Sequence, residues 1–292
     1  MAASSESAAA ATICATSARL GWPSSTLSWK RRCAERPAAS RMNTAMGFAA
    51  KCALVLSGMA VALSAVAAGP TAALSVALDV GHSRQKPGAV SARGVNEFEF
   101  NRALAQTLAD VLRQRGVQVT LIGVDGDMND LYARPSRAAG ADFFLSIHHD
   151  SVQPQYLQPW TVDGAHRRYS DRFSGFSLFV SHQNPYFAQS LACASLLGAR
   201  LRAAGFQPSD HHAEPIPGEN RSYADRANGV YDFDQLVVLR MASQPAALLE
   251  AGIIVNRADE QSLRQPATQT RIATAVADGL ERCLARPGAT TP

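Results

Sequence analysis

The chain has 292 residues, 47% of them hydrophobic and 18% charged, a balance that excludes wholesale disorder and suits one large domain or two small ones. Its formal net charge is +4, but residues 1–68 carry seven basic side chains (Arg19, Lys30, Arg31, Arg32, Arg36, Arg41, Lys51) against only Glu6 and Glu35. With those seven of 28 bases and two of 24 acids set aside, 21 bases face 22 acids in residues 69–292, and the net charge of −1 excludes a nucleic-acid partner drawn by charge.

Residues 1–45 are rich in Ala, Ser and Arg without apolar periodicity and read as a disordered or untranslated leader. From Met46 the pattern changes: Lys51, an apolar run from 52, then Ala-Val-Ala-Ala at 65–68. A basic residue, a short apolar stretch and small residues at its end describe a secretory signal peptide over 46–68, cleaved near Ala67 or Ala68. The alternative is an N-terminal anchor, but the 17 residues of 52–68 reach only the short limit of a spanning helix. The mature chain, 69–292, is then exported, forms one domain and has no stable membrane insertion. Its two cysteines, Cys193 and Cys283, lie in apolar helical patterns. An oxidising compartment permits a bond between them, and two buried thiols fit the pattern equally.

Along the mature chain, residues 74–80 form a short apolar run that stops at Gly81, a buried strand. Phe100, Leu104, Leu108 and Leu112 recur every four residues, predicting a helix over 97–115 with Gly116 as its stop. Strands are expected at 117–122, 142–147, 176–180, 236–239 and 246–249. Helices are expected at 131–139, 185–204 and 257–285. This alternation predicts an α/β domain, a largely parallel twisted sheet flanked by helices on both faces. Two polar and aromatic stretches, 151–174 and 207–230, break the rhythm and are candidates for a substrate rim.

Ligands of parallel α/β sheets bind beyond the carboxyl ends of the strands. There the first strand delivers His82, the third His148 and His149, and the last Glu250, while Glu97 opens the first helix at the same edge. Two histidines and a carboxylate with one open position make a catalytic zinc set, and one more carboxylate can serve as general base. Each has an ordinary reading too: a rim histidine, or, for Glu97, a first-turn acid favoured by the helix dipole. Glu250 is harder to dismiss, because it follows the apolar 246–249, where an unpaired charge is costly to bury. His149 points to the opposite face from His148. His166, His182, His211 and His212 have no supporting spacing and read as surface residues.

Four motifs in order resemble the zinc-dependent N-acetylmuramoyl-L-alanine amidases of the type-3 family. They are Asp79-Val80-Gly81-His82, Gly94-Val-Asn-Glu97, Ala141-Asp-Phe-Phe-Leu-Ser-Ile-His148, and Val238-Leu-Arg240 leading to Pro245-Ala-Ala-Leu-Leu-Glu250-Ala-Gly252. The resemblance spans about residues 75–285 and implies Zn2+ on His82, Glu97 and His148, with Glu250 as the catalytic carboxylate. The implied substrate is peptidoglycan, hydrolysed between N-acetylmuramic acid and L-alanine in the periplasm or outside the cell. The alternative is a zinc peptidase or another metal-dependent amide hydrolase on the same ligands. The chain departs from the family pattern in Val80 for Pro, Ser83-Arg84 for a Gly pair and Phe98 for Lys. The inhibitory helix of cell-division members also has no room, since only 181–185 separates the 176–180 strand from the next helix.

Overall fold

The computed structural model describes residues 73–285, so the expected leader and signal peptide lie outside the described residues. In chain order the elements are β1 (Ser75–Val80), α1 (Glu97–Gln114), β2 (Gln118–Ile122), α2 (Ala133–Arg137) and β3 (Phe143–Asp150). They continue with β4 (Gln158–Val162), β5 (Ala165–Tyr169), β6 (Ser177–Val180), α3 (Phe187–Ala203), β7 (Tyr223–Asp225) and β8 (Val230–Asp232). The chain closes with α4 (Val237–Arg240), β9 (Ala246–Ile253), α5 (Arg257–Leu263) and α6 (Pro266–Leu284).

One seven-stranded sheet runs in the order β2-β1-β3-β9-β6-β8-β7. The pairs β1–β2, β1–β3, β3–β9 and β6–β8 are parallel, whereas β6–β9 and β7–β8 are antiparallel. The sheet is thus mostly parallel but mixed. The period-two alternation of β1 sorts its side chains onto two faces. Val76, Leu78 and Val80 join Phe143, Leu145, Ile147 and the apolar stripes of α1, α3 and α6 in the larger core. Ala77 joins Phe144, Leu248 and residues of the short α4 in the thinner layer on the other face.

Three expectations need correction. Residues 236–239 fall on a helical turn, α4, because a four-residue apolar run does not distinguish a strand from a buried turn of helix. The predicted terminal helix is broken in two at Pro266, whose missing N–H and fixed φ suit the first turn of a new helix. The 151–174 stretch is not loop throughout: β4 and β5 pair as an antiparallel hairpin. Cys193 and Cys283 form a disulfide between α3 and α6, with Cα atoms 5.1 Å apart. The connection from β6 to α3, residues 181–186, contains no helix. Among the described residues no helix is long and apolar enough to cross a membrane.

Candidate metal centre

β1 ends at Val80, and the chain turns sharply at Gly81 and His82. A side chain at 81 would overlap the His148 ring, and His82 itself holds φ +68°, a left-handed conformation rare outside glycine. Arg134 of α2, 2% exposed, stabilises this turn. It pairs with buried Asp79 at 2.6 Å and donates to the carbonyls of Val80, Met128 and His82. Ser146 donates to the second Asp79 oxygen at 2.7 Å. The strained residue is therefore over-determined by its surroundings, as sites that need one fixed geometry tend to be.

Glu97, 4% exposed, is the first residue of α1 and faces both histidines. Its Oε2 lies 2.9 Å from His82 Nε2, and its Oε1 lies 3.0 Å from His148 Nδ1. The Ala89 amide donates to Oε2 at 3.0 Å, and Asn101, one turn along α1, donates to Oε1 at 3.1 Å. Burial favours the neutral acid, but hydrogen bonds from His148 and His82 outweigh it and hold Glu97 well below the usual carboxylate range. Gly88 (φ +78°) closes over the pair, since a Cβ there would meet Glu97 Oε2 and the His82 ring. The three nearest ligand-type atoms of His82, Glu97 and His148 lie within 4.8 Å of one another, and two imidazoles with one carboxylate suit zinc. A cavity of about 210 Å3 opens beside His82 and His148, bounded by Lys86, Leu131 and Val238.

Glu250 lies on β9 directly in register with His148 of β3. The residue is half-buried, yet its Oε2 is shut off from solvent and has no hydrogen-bond partner. Burial, and then the nearby charges of Asp150 and Glu97, push its carboxyl well above the usual carboxylate range. All four residues singled out from the sequence thus meet at one sheet edge. His149, as expected, turns to the other face, where it is 2% exposed and bonds Asn101 Oδ1 at 2.8 Å. Burial keeps it neutral, its pKa lowered to about 3.

The sequence reading missed several residues. Arg134 sits in a five-residue helix with no periodic signal, and Asn101 in a helix whose pattern marked only its apolar face. His166 and His182 are exposed as expected, but His211 and His212 are not surface residues: both are buried. His212 Nε2 lies 2.8 Å from Asp150 Oδ2, and its Nδ1 lies 2.8 Å from Glu219 Oε2. Burial disfavours a charged imidazole there, but Asp150 and then Glu219 outweigh it and raise the His212 pKa to about 9. An adjacent His-His pair among Pro and Gly residues, with acids nearby, was the signal available.

The β4–β5 hairpin docks on the loop before α1. Trp160 Nε1 donates to the Ala92 carbonyl at 2.9 Å, Arg167 covers Gly94, and Arg257 lies 4.0 Å above the Tyr169 ring. None of the hairpin lines the cavity beside His82 and His148.

Residues 76–282 match a family model described as N-acetylmuramoyl-L-alanine amidase (Amidase_3). The amidase AmiA of Escherichia coli (strain K12) is 26% identical over 233 residues, covering 70% of this chain and 74% of its own. The catalytic domain of CwlV, an N-acetylmuramoyl-L-alanine amidase from Bacillus (Paenibacillus) polymyxa var. colistinus, superposes with a TM-score of 0.54. It is 25% identical, over 72% of this chain and 97% of its own. The amidase Ami1 of Mycobacterium smegmatis shares the fold with a TM-score of 0.57 at 20% identity, over 72% of this chain and 96% of its own.

Proposed function

The chain belongs to the type-3 family of N-acetylmuramoyl-L-alanine amidases, and from that premise we propose that it works with zinc held by His82, Glu97 and His148 and with Glu250 as proton carrier. Its reaction is hydrolysis of the amide bond between N-acetylmuramic acid and L-alanine in peptidoglycan, which frees stem peptides. The observation that carries the site assignment is the convergence of Glu97 on both histidines beside a buried, unpartnered Glu250 oxygen.

Zinc, when bound there, acidifies water to a pKa of about 7 and offsets negative charge developing on the attacked carbonyl. The chain supplies the rest. Asn101 and the Ala89 amide fix the Glu97 carboxylate, and Arg134 fixes the turn that carries His82, so the ligand atoms need little reorganisation. Glu250 takes a proton from the water that attacks the lactyl carbonyl and returns it to the departing nitrogen of L-alanine. A carboxyl raised above its ordinary range by burial is suited to both halves of that exchange. The cavity beside His82 and His148 admits the scissile bond at the strand ends.

Export follows from the substrate and is supported by the Cys193–Cys283 disulfide, a bond favoured in oxidising compartments. Residues 46–68 act as the signal peptide in this reading, so N-terminal sequencing of exported protein should begin between residues 66 and 72. The enzymatic reading is tested by the mass of the products released from purified sacculi, with and without a chelator. Free stem peptides that begin with L-alanine, lost on chelation, are expected. Cleavage within the stem peptide would replace this reading with a zinc peptidase.

A further inference from the structure

A second group of ligand-type side chains converges among the described residues: Asp150, His211 and His212, with donor atoms within 4.8 Å of one another. Both imidazoles present Nε2 to one carboxylate oxygen, Asp150 Oδ2, His212 at 2.8 Å and His211 at 3.1 Å. His211 is 1% exposed, and its Nε2 makes no well-formed hydrogen bond despite that short distance. His212 Nε2 is hydrogen-bonded to Asp150 Oδ2, so His211 Nε2 is the buried nitrogen of the group left without a partner, and three donor atoms this close are placed to share an ion. The far nitrogens are already held: His212 Nδ1 by Glu219 Oε2 at 2.8 Å, and His211 Nδ1 by Ser209 Oγ at 2.9 Å. A ligating imidazole almost always gives its other N–H to such an acceptor, which leaves the Nε2 lone pair facing forward. Phe173, Phe179 and Tyr231 pack around the two rings and keep water out.

We propose that Asp150, His211 and His212 form a second divalent-cation site of the zinc type, which fastens the segment around residues 207–222 onto the end of β3. Two imidazole nitrogens and one carboxylate oxygen favour zinc over calcium or magnesium, which prefer all-oxygen shells. Binding displaces any proton held between His212 and Asp150, and that proton leaves to solvent. The site shares no residue with the catalytic set and adjoins it: Asp150 lies two residues beyond His148, across a shift in the β3–β9 register.

The full-length protein, stripped with a chelator and reloaded with zinc alone, tests this by metal content after removal of free ion. Wild type should hold two equivalents, His82→Ala/His148→Ala one, and His211→Ala/His212→Ala one. Zinc should raise the melting temperature of His82→Ala/His148→Ala. If the 211/212 variant does not fold, the 82/148 variant decides: one retained equivalent with that thermal shift supports the second site, and none overturns it. A wild type holding one equivalent that disappears in His82→Ala/His148→Ala also overturns it, and the Asp150 cluster is then an ion pair closed by a proton. Failure of the catalytic assignment reads differently, because wild-type metal would then be lost only on changing 211 and 212.

Discussion

Two clusters of like composition, each two histidines around one carboxylate, lie next to each other along β3, and their surroundings differ in almost every respect. His82, Glu97 and His148 sit beside an open cavity, and one of them holds a strained backbone. Asp150, His211 and His212 are closed in by aromatic rings, and both histidines come from a segment without long regular structure. The same side chains thus serve two ends. In the proposed reading, access and strain equip the first cluster for turnover, whereas enclosure equips the second to hold the fold together.

The largest expected effect separates the two in activity. Glu250→Gln should keep zinc on His82, Glu97 and His148 while turnover on sacculi falls roughly 10²–10⁴-fold, the usual worth of general acid–base catalysis. Metal content measured beside turnover checks it. Full zinc with near-wild-type turnover removes Glu250 from the mechanism, and loss of zinc moves it into the ligand set.

The next effect separates them in stability. Asp150→Ala strips the carboxylate that both buried imidazoles face, leaving His212 only Glu219, and should cost about 3–5 kcal/mol, the typical result of removing one partner of a buried pair. His82→Ala, at a half-exposed position where Glu97 keeps His148, Asn101 and the Ala89 amide as partners, should cost less in the same assay. Denaturant unfolding in the presence of chelator compares the two directly. Equal costs would erase the distinction between a working cluster and a holding one.

A smaller effect probes how the open cluster is aimed. Asn101→Ala removes the amide that donates to Glu97 Oε1 and accepts from His149. Residues that orient metal ligands are typically worth 10–100-fold in affinity. Competition titration of zinc against a chromophoric chelator should show a loss in that range, with the Asn101→Asp variant failing to restore it because a carboxylate has no N–H to give.

The same contrast explains what was legible in the sequence. His82, His148 and Glu250 follow apolar runs that announce strands, though β3 and β9 run on past His148 and Glu250, and Glu97 opens a helix with a clear four-residue period, so local pattern placed them at one edge. His211 and His212 belong to no periodic element, and their partner Asp150 is about sixty residues away in sequence. Only the packed chain joins them. Arg134 was hidden for a related reason: a five-residue helix carries too little pattern to show a buried arginine, and its worth lies in the carbonyls of a distant turn. The mixed strand directions at β6 and β8 likewise depend on tertiary pairing rather than on the local pattern that marked β6 as a strand.

The smallest effect concerns the hairpin, which belongs to neither cluster yet touches the loop that delivers Glu97. Trp160 is its anchor, through one hydrogen bond to Ala92 and through Arg93 and Arg257, each 5.4 Å from its ring. Trp160→Phe keeps an aromatic face for the arginines and deletes only the indole N–H. A single neutral hydrogen bond is worth about 0.5–1.5 kcal/mol net. If the hairpin braces the loop, part of that loss reaches Glu97, and zinc affinity should fall by up to about tenfold while sacculus turnover at saturating zinc stays near wild type. If the hairpin instead contacts the glycan strand, affinity for zinc should hold and the apparent affinity for sacculi should fall. The Ala92 contact lies five residues before Glu97, and no hairpin residue lines the cavity, so the first outcome is expected. A change in substrate affinity alone would move the hairpin from the metal loop to the substrate rim.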